Sequence, residues 1–471
     1  MTESTTPTIV EIDARLVQQL REGFRGELIQ PSDDVYNQAR AVFNGMIDRY
    51  PALIARCANV GDVIEAVNFA RIQGLTLAVR GGGHNGGGLG TCDGGLVIDL
   101  SQMKGVRVDP MARRTWVEGG ATWGDVDHAT HAFGLATPSG IISTTGVGGL
   151  TLGGGMGHLT RKYGLTIDNL LSADMVLADG SFVHANEQEN PDLFWAIRGG
   201  GGNFGVVTSF EFRLHPVDTV IVGITLWELE HTRKVMQWYR EFLPSQPEDV
   251  NGFFAFLVVP PGPPFPEPIH MRNVCGVVWC LLGTQAQADE HFAKVRQVAP
   301  TLFEFVSPMP YPNLQSMFDP LYPRGHQWYW KADFVKEIPG AAIDKHLEFG
   351  GNLPTMQSTM HLYPIDGAAS RVDPEATAWA YRDAKWGSVI VGVDPDPDKN
   401  EALKTWARAY WEALHPYSAG GAYVNMMMDD EGQERVRASY RHNYERLAQI
   451  KRKYDPDNLF RTNQNIKPAA E

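Results

Sequence analysis

A single histidine, His84, lies within a glycine-rich stretch that runs from Arg80 to Gly90, RGGGHNGGGLG. Glycine suits backbone that takes positive φ or approaches another group closely, but it loses more conformational freedom on folding than any other residue. So many glycines around one imidazole destabilise the folded chain, and a function of this segment would offset that entropic cost. The stretch therefore predicts a functional loop with His84 at its centre.

Two further glycine-rich stretches follow, GVGGLTLGGGMG at residues 146–157 and RGGGGNFGVV at residues 198–207. Three such connections can converge as nests of backbone N–H groups around a phosphate-bearing cofactor. Flexible surface loops are the alternative interpretation. Strongly apolar flanking segments favour the cofactor site, because ordered strands would fix the loops between them.

Known phosphate-binding motifs do not explain these loops. Two windows satisfy G-x-G-x-x-G, but the dinucleotide fingerprint also needs a helix that begins at the third glycine. The segments that follow, GGLGTCDGGLVIDL and VVTSFEFRL, cannot form that helix. No G-K-[ST] follows a glycine run, so a P-loop is excluded as well.

Composition places the chain among ordinary globular proteins, with 43% hydrophobic and 20% charged residues. Its 471 residues exceed what one core usually serves, which predicts two domains. The net charge of -14 argues against a nucleic acid or an anionic membrane as partner. Neither a signal peptide nor an apolar run of roughly 20 residues is present, so a cytoplasmic location is predicted.

The cysteines do not indicate a disulfide framework or a metal site. Cys57, Cys92, Cys275 and Cys280 are few and scattered. CGVVWC is a C-x4-C pair on an apolar, strand-like run with no second pair nearby, which favours core thiols over zinc ligands. We expect no bound metal.

The first half of the chain has the pattern of a mixed α+β domain. NVGDVIEAVNFARIQG predicts a helix capped by Asn59 and terminated by Gly74, and LTLAVR predicts the strand that leads into the first glycine loop. SADMVLADGSFVHANE predicts a hairpin that turns at Asp179-Gly180. The glycine loops therefore lie between elements of regular structure.

The second half differs in composition. From about Asp218 onward tryptophan, tyrosine and proline become frequent and glycine loops vanish, which places a domain boundary near Pro216. The C-terminal YERLAQIKRKYDPDNLFRTNQNIKP predicts a helix, a proline-marked turn and an extended end.

Together these segments resemble the berberine-bridge-enzyme-like group of the vanillyl-alcohol-oxidase flavoproteins, which contain a PCMH-type FAD-binding domain. The resemblance rests on VRGGGHNGGGLG, TTGVGGLTLGGGMGHLTRKYGLTIDN, DLFWAIRGGGGNFGVVTSFEFRLHP, AYVN and the C-terminal segment, and it covers nearly the whole chain. It implies an α+β fold, with a two-subdomain FAD-binding domain at 1–216 and a substrate-binding domain at 217–420. The latter is an antiparallel sheet covered by helices, and residues 421–471 return to the FAD domain.

The resemblance implies that His84 is bonded covalently through its imidazole to the 8α-methyl carbon of FAD. Such a bond prevents flavin loss and raises the reduction potential of the ring. A solvated loop histidine is the alternative. By the same resemblance the FAD contacts are Arg80, Gly81, Gly82 and Gly83, which wrap the phosphates, and Asn85, Thr144, Thr145, Gly148, Gly149, Leu150, Gly154, Gly202, Asn203, Gly205, Val207 and Asn463. For Asn463 an ordinary turn residue is the other interpretation.

Three positions depart from many relatives. Ile142 stands where those relatives attach the flavin a second time through cysteine, so a single bond to FAD is expected. Leu150 stands where they have histidine. Thr145 stands near the oxygen-reactive carbon of the flavin, and its small side chain would leave that approach open, as an oxidase requires. Its hydroxyl could also hold oxygen for flavin-dependent oxygenation.

The resemblance points to Tyr423 in AYVN as the group that removes the substrate's proton, with Asn425 two residues on and on the same strand face. A tyrosine with a pKa of about 10 is a poor base at neutral pH, so a nearby cation would have to lower its pKa. Lys331 and Arg382 are the candidates. Without a cation, Tyr423 would simply hydrogen-bond the substrate.

Three residues of the second half are further candidates for substrate contact. The resemblance places His361 towards the substrate, where its pKa suits acid–base work, although a lone strand histidine can also be structural. Trp328 and Trp330 alternate along one predicted strand and so share a face. They would line a flat pocket for an aromatic or sugar substrate, or else pack in the core.

The sequence thus predicts an FAD-linked oxidase that removes hydride from an alcohol, a sugar or a secondary metabolite and passes the electrons to O2, giving hydrogen peroxide. A dehydrogenase with poor O2 reactivity, a flavin-dependent oxygenase and a flavin-binding protein without turnover are the alternatives. The sequence leaves the substrate and the oligomeric state open.

Overall fold

The computed structural model describes residues 12–470. The strands are β1 (Glu27–Ile29), β2 (Leu53–Arg56), β3 (Leu77–Arg80), β4 (Leu96–Asp99), β5 (Val106–Asp109), β6 (Arg114–Glu118), β7 (Leu135–Ala136), β8 (Leu170–Val176), β9 (Phe182–Ala185), β10 (Val206–Arg213), β11 (His215–Pro216), β12 (Thr219–Glu228), β13 (Val250–Val258), β14 (Asn273–Leu281), β15 (Phe303–Pro310), β16 (Gln327–Val335), β17 (Thr359–Pro364) and β18 (Trp386–Asp394).

The helices connect these strands and cover their faces. They are α1 (Ala14–Gly23), α2 (Tyr36–Arg40), α3 (Val60–Ile72), α4 (Trp123–His131), α5 (Val147–Gly153), α6 (Thr160–Tyr163), α7 (Pro191–Ile197), α8 (Thr232–Ser245), α9 (Gln285–Val295), α10 (Tyr311–Gln315), α11 (Gly340–Gly350), α12 (Ala368–Arg371), α13 (Asn400–Leu414), α14 (Gly432–Tyr440) and α15 (Asn443–Tyr454). Short 3-10 helices occur at Thr166–Asn169, Leu229–His231, Glu267–Ile269, Asp319–Leu321, Pro397–Lys399, His415–Tyr417 and Val424–Met426.

A small mixed sheet of order β1-β2-β4-β3 carries the first glycine loop at the end of β3. β2 and β3 both run parallel to β4, and α3 is the helix that connects β2 to β3. The predicted ends of α3 are confirmed, because the Asn59 side chain accepts from the backbone of Asp62 and Gly74 has φ +62. The parallel strands are almost wholly buried, as expected for a sheet covered by helices.

A second sheet, of order β5-β6-β10-β8-β9, is antiparallel throughout. Its β8–β9 hairpin turns at Gly180, where φ is +83, as the Asp-Gly signal predicted. The loop before β10 contains the third glycine stretch. The second glycine stretch, expected to be a loop, is mostly helix α5, which lies between β7 and β8. β7 and β11 pair with each other and form a separate two-stranded sheet.

The largest sheet has seven antiparallel strands in the order β15-β12-β14-β13-β17-β18-β16. Helices α8 and α13 pack against it, and α11 packs against both of these helices. Most of its strands are buried along nearly their whole length, which explains their continuous apolar sequences. The α+β class and the helix-covered antiparallel sheet are therefore confirmed.

The apolar core is continuous between the second sheet and the seven-stranded sheet. It contains Phe210 from the former, Trp227 and Trp386 from the latter, and Trp123 from helix α4. The domain boundaries at 216 and 420 stay a prediction. The four cysteines are buried and free. Among the described helices, none combines the length and the apolar character needed to cross a bilayer.

Candidate active site

The three glycine stretches converge on one cavity of about 340 Å³. One wall comes from the glycine loops and the opposite wall from β16, β17 and β18. The predicted site residues that line it are Arg80, Gly81, Gly82, Gly83, His84, Asn85, Thr145, Gly148, Gly149, Leu150, Gly202, Asn203, Gly205, Val207, His361, Tyr423, Asn425 and Asn463.

The glycines allow two loops to approach each other closely. A Cβ at Gly82 would lie 2.4 Å from the backbone nitrogen of Gly146, and a Cβ at Gly146 would lie 2.3 Å from that of Gly82. No side chain can be accommodated at such distances, so both positions require glycine. Gly83, which follows, has φ +72, another conformation that favours glycine.

The same loop presents a series of backbone donors. The N–H groups of residues 81–85 donate no hydrogen bond to any residue between 12 and 470, and all five residues line the cavity. These residues are half-buried, and a run of unpaired backbone donors along one cavity is the arrangement of an anion-binding nest. A phosphate group has the acceptors that such a run requires.

The Arg80 side chain is bound to other groups. Its Nη2 lies 2.9 Å from Asp99 Oδ2 and 2.6 Å from the carbonyl oxygen of Ala39, and both charged side chains are buried. This ion pair joins the ends of β3 and β4. The predicted contact of Arg80 with cofactor phosphate would therefore come from a guanidinium that is already neutralised by Asp99.

His84 is held in one orientation at the cavity wall. Its Nε2 lies 3.0 Å from Thr144 Oγ1, and its ring stacks on Phe43 with centroids 3.8 Å apart. Burial, together with the charge of Arg324, lowers the pKa of His84 to about 3. The imidazole is therefore neutral, and in the tautomer in which Nε2–H donates to Thr144 the lone pair of Nδ1 is available as a nucleophile.

Sequence reasoning missed Phe43 and Arg324. The Arg324 guanidinium donates to the carbonyl oxygens of Gly82 and Ala41, and so links the His84 loop to the segment that carries Phe43. No local pattern could identify either residue, because both meet His84 from distant parts of the chain.

Tyr423 is buried and its hydroxyl oxygen accepts two hydrogen bonds. Gly155 donates from its backbone N–H at 3.0 Å and Asn425 donates from Nδ2 at 2.8 Å. The two residues meet around the 3-10 turn Val424–Met426, so the prediction that they share a strand face is wrong. The 3-10 turn places the side chains of Tyr423 and Asn425 next to each other, as a strand would have done.

The predicted cations do not act on Tyr423. Lys331 pairs with Asp430 and Glu431, and Arg382 pairs through Nη1 and Nη2 with Asp168. Burial raises the pKa of Tyr423 to about 12, although its two hydrogen-bond donors oppose this. The neutral phenol is therefore the form present at physiological pH, and its own O–H is available to donate.

His361 lies on β17 with both ring nitrogens engaged. Thr359 Oγ1 donates to the carbonyl oxygen of Phe256 at 2.7 Å, so it accepts from His361 Nε2, which lies 3.0 Å away. His361 Nδ1 then accepts from the Tyr363 hydroxyl at 2.5 Å. Burial lowers the pKa of His361 to about 3, which makes it a poor base.

The predicted pair of tryptophans does share one face of β16. Trp328 and Trp330 both line the cavity, with ring centroids 5.9 Å apart. Trp330 packs so closely on Gly86 that a Cβ there would lie 2.2 Å from its ring. The two indoles thus contribute both to core packing and to the cavity wall.

The C-terminal tail closes the far end of the cavity. Asn463 donates to the carbonyl oxygen of Gly202 at 3.2 Å, and Asn203 accepts from the backbone N–H of Ile466 at 2.9 Å. Lys451 is fully buried and donates to the carbonyl oxygen of Asn203. These contacts fix the third glycine loop against the tail.

Two predicted site residues lie behind the cavity wall. Thr144 does not line the cavity, and among the described residues it reaches the site through its contact with His84. Gly154 has φ +134, and a Cβ there would lie 2.3 Å from the Trp379 ring and 3.4 Å from Tyr423. Gly154 is thus positioned to support Tyr423, not to contact a ligand.

Comparisons with known proteins agree with this geometry. Residues 51–186 match a family described as FAD binding domain, and residues 422–467 match one described as Berberine and berberine like. An FAD-linked oxidoreductase of Dictyostelium discoideum is 32% identical over 457 residues, 96% of this chain and 97% of that protein. A xylooligosaccharide oxidase of Thermothelomyces thermophilus is 31% identical over 458 residues, 91% of this chain and 89% of that protein.

The fold is shared with a solved structure. The crystal structure of 6-hydroxy-D-nicotine oxidase from Arthrobacter nicotinovorans matches with a TM-score of 0.84 and 27% identity, covering 98% of this chain and 100% of the other.

Proposed function

Because the chain belongs to the berberine-bridge-like family of FAD-linked oxidoreductases, we propose that it carries FAD bonded to His84 and oxidises a small alcohol, sugar or secondary metabolite with O2 as electron acceptor. The observation that carries this proposal is the neutral, oriented imidazole of His84 beside a run of free backbone donors.

The residues of the cavity fit the cofactor. The N–H groups of residues 81–85 would hold phosphate oxygens, and the close loop approach at Gly82 and Gly146 leaves that backbone accessible. His84 has the neutral imidazole that bond formation requires. When bound, FAD supplies a two-electron acceptor for hydride. Ile142 lines the cavity and offers no nucleophile, which supports attachment through one residue only.

Tyr423 would act as a hydrogen-bond donor to the substrate oxygen. Its oxygen already accepts from Gly155 and Asn425, so its O–H is free to point to the cavity. Asn425 also donates to the carbonyl oxygen of Leu150, which fixes its amide. Neither His361, with a pKa of about 3, nor Tyr423, with a pKa of about 12, is a suitable base before the reaction begins. We therefore assign removal of the substrate's proton to neither side chain.

Acid precipitation of the purified protein tests the flavin bond. We expect the colour to stay with the precipitate of wild type and to remain in the supernatant for His84→Ala, because only the former holds flavin covalently. Intact mass should show one FAD per chain. His184→Ala is the matched control, since His184 is a partly exposed histidine that hydrogen-bonds Asp174. Flavin released from wild-type protein by acid would contradict the proposal.

A flavin-dependent oxygenase is the second candidate function. It is favoured by Thr145, whose hydroxyl-bearing side chain lines the cavity where relatives have a small apolar residue. Turnover under labelled O2 separates the two functions, because an oxygenase places the label in the product and an oxidase places all of it in peroxide. Slow reoxidation of reduced enzyme in air would instead indicate a dehydrogenase.

A further inference from the structure

The substrate side of the cavity carries no formal charge. Among the described residues that line the cavity, Arg80 has the only charged side chain, and it is paired with Asp99. The two lining histidines are neutral, since burial lowers the pKa of each to about 3. An ionised substrate would lose hydration here without gaining a counter-ion, which costs several kcal/mol.

One polar atom of this wall has a fixed hydrogen-bonding role. Thr359, His361 and Tyr363 lie two residues apart on the same face of β17, and all three line the cavity. Their side chains form a chain of hydrogen bonds that ends at the carbonyl oxygen of Phe256. Because each donor in that chain is already used, the Tyr363 proton is committed to His361.

The oxygen of Tyr363 is therefore left as an acceptor. No other residue within 12–470 donates a hydrogen bond to it, and Tyr363 as a whole residue is 8% exposed. Trp328, Trp330 and Val391 supply the surrounding surface, which is apolar except for the two indole N–H groups. Both N–H groups are buried and have no hydrogen-bond partner among the described residues. A ligand that fits this wall needs a hydrogen-bond donor facing Tyr363, and its remaining polar groups can only be acceptors, because the other free polar groups nearby are the Tyr423 O–H and the two indole N–H groups.

We propose that the cavity selects an uncharged substrate that carries a hydroxyl group, and that Tyr363 Oη is the specificity-determining acceptor for that hydroxyl. This inference rests on the proposed oxidase function and names its substrate class. His361 acts as a positioning residue, because it takes the Tyr363 proton and so prevents Tyr363 from donating.

Four small aromatic probes test the proposal with the purified flavoprotein. Benzyl alcohol offers a neutral donor, benzyl methyl ether offers only an acceptor, and benzoate and benzylammonium carry opposite charges. Dissociation constants come from perturbation of the flavin absorbance. We expect benzyl alcohol to bind roughly 3- to 10-fold more tightly than the ether, as one net hydrogen bond gives. Both charged probes should bind more weakly than benzyl alcohol by at least about tenfold.

Two variants separate the role of Tyr363 from that of the cavity shape. In Tyr363→Phe the preference for alcohol over ether should disappear. In His361→Phe the freed Tyr363 hydroxyl can donate, so the ether should gain affinity relative to wild type. Thermal melting followed by circular dichroism reports whether each variant is folded.

The results that overturn the proposal are distinct from those that overturn the function. Equal or tighter binding of a charged probe, an unchanged alcohol preference in Tyr363→Phe, or no binding of benzyl alcohol by calorimetry would each refute the inference. A protein that lacks flavin, yet binds benzyl alcohol by calorimetry with the expected preferences, would refute the proposed function and leave the inference standing.

Discussion

Replacement of Tyr423 by phenylalanine decides whether this residue is a base or a hydrogen-bond donor. With its pKa raised to about 12, the hydroxyl is ionised in roughly one molecule in ten thousand at about pH 8. Ionising it beforehand would then cost about 5 kcal/mol. A mechanism that needed the phenolate would show a rate that rises tenfold per pH unit without a plateau below about pH 12.

The structure favours the role of hydrogen-bond donor, which has the smaller effect on the rate. A donor to the substrate oxygen contributes a net 0.5–1.5 kcal/mol, so Tyr423→Phe should slow substrate oxidation by about 2- to 12-fold. Loss of a general base would instead cost about 10²- to 10⁴-fold. The variant also leaves the Gly155 N–H without its acceptor, which should lower the free energy of unfolding by about 1–3 kcal/mol.

Anaerobic stopped-flow bleaching of the bound flavin measures the rate without interference from O2. Tyr381→Phe is the control, because Tyr381 is also buried and its hydroxyl donates to the carbonyl oxygen of Ala438 outside the cavity. We expect no pH dependence attributable to Tyr423 between about pH 6 and 10. A loss above about a hundredfold, with a wild-type rate that rises to a plateau below about pH 9, would refute this reasoning.

Two further predictions concern the loops and a buried acid. Gly82→Ala places a methyl group 2.4 Å from the backbone of the facing loop, so flavin incorporation should fall sharply. The control variant Gly340→Ala has open space at its Cβ and should incorporate flavin normally. Equal flavin content in the two variants would contradict this prediction. Burial raises the pKa of Asp127 to about 7, above its unfolded value of about 3.9, so the free energy of unfolding should fall by up to about 4 kcal/mol between about pH 4 and 7. Urea unfolding of Asp127→Asn should show this slope abolished, and an unchanged slope would count against the assignment.

Local patterns in the sequence predicted much of the fold. The cap at Asn59, the turn at Gly180 and the alternation of Trp328 with Trp330 each depend on residues close in the chain, and the structure confirms all three. The convergence of the three glycine stretches on one site was likewise predicted, although most of the second stretch is helix α5 and not a loop.

Contacts between distant segments were not predictable in this way. Lys331 and Arg382 were equally plausible neighbours of Tyr423, yet each neutralises an acid elsewhere. No sequence pattern marked Tyr363 as a site residue either, because its role as an acceptor depends on the donation of its own proton to His361. The charge state and the hydrogen-bond direction of a side chain depend on its neighbours in space, and a single sequence does not identify those neighbours.

The glycine content of the first loop has a physical reason in this arrangement. Seven of the eleven residues from Arg80 to Gly90 are glycine, and at about 0.4–1 kcal/mol each their extra freedom in the unfolded chain costs roughly 3–7 kcal/mol. A ligand that binds only the folded state, at 100 to 1,000 times its Kd, returns about 2.7–4.1 kcal/mol. The cost and the gain are of similar size, so reversible binding alone would only just maintain such a loop. A bond from His84 to the ligand would remove the dependence on ligand concentration, because the ligand could no longer dissociate. A protein with net charge -14 would then retain an anionic cofactor through backbone donors that carry no net charge, with no cluster of lysine or arginine among the described residues that line the site.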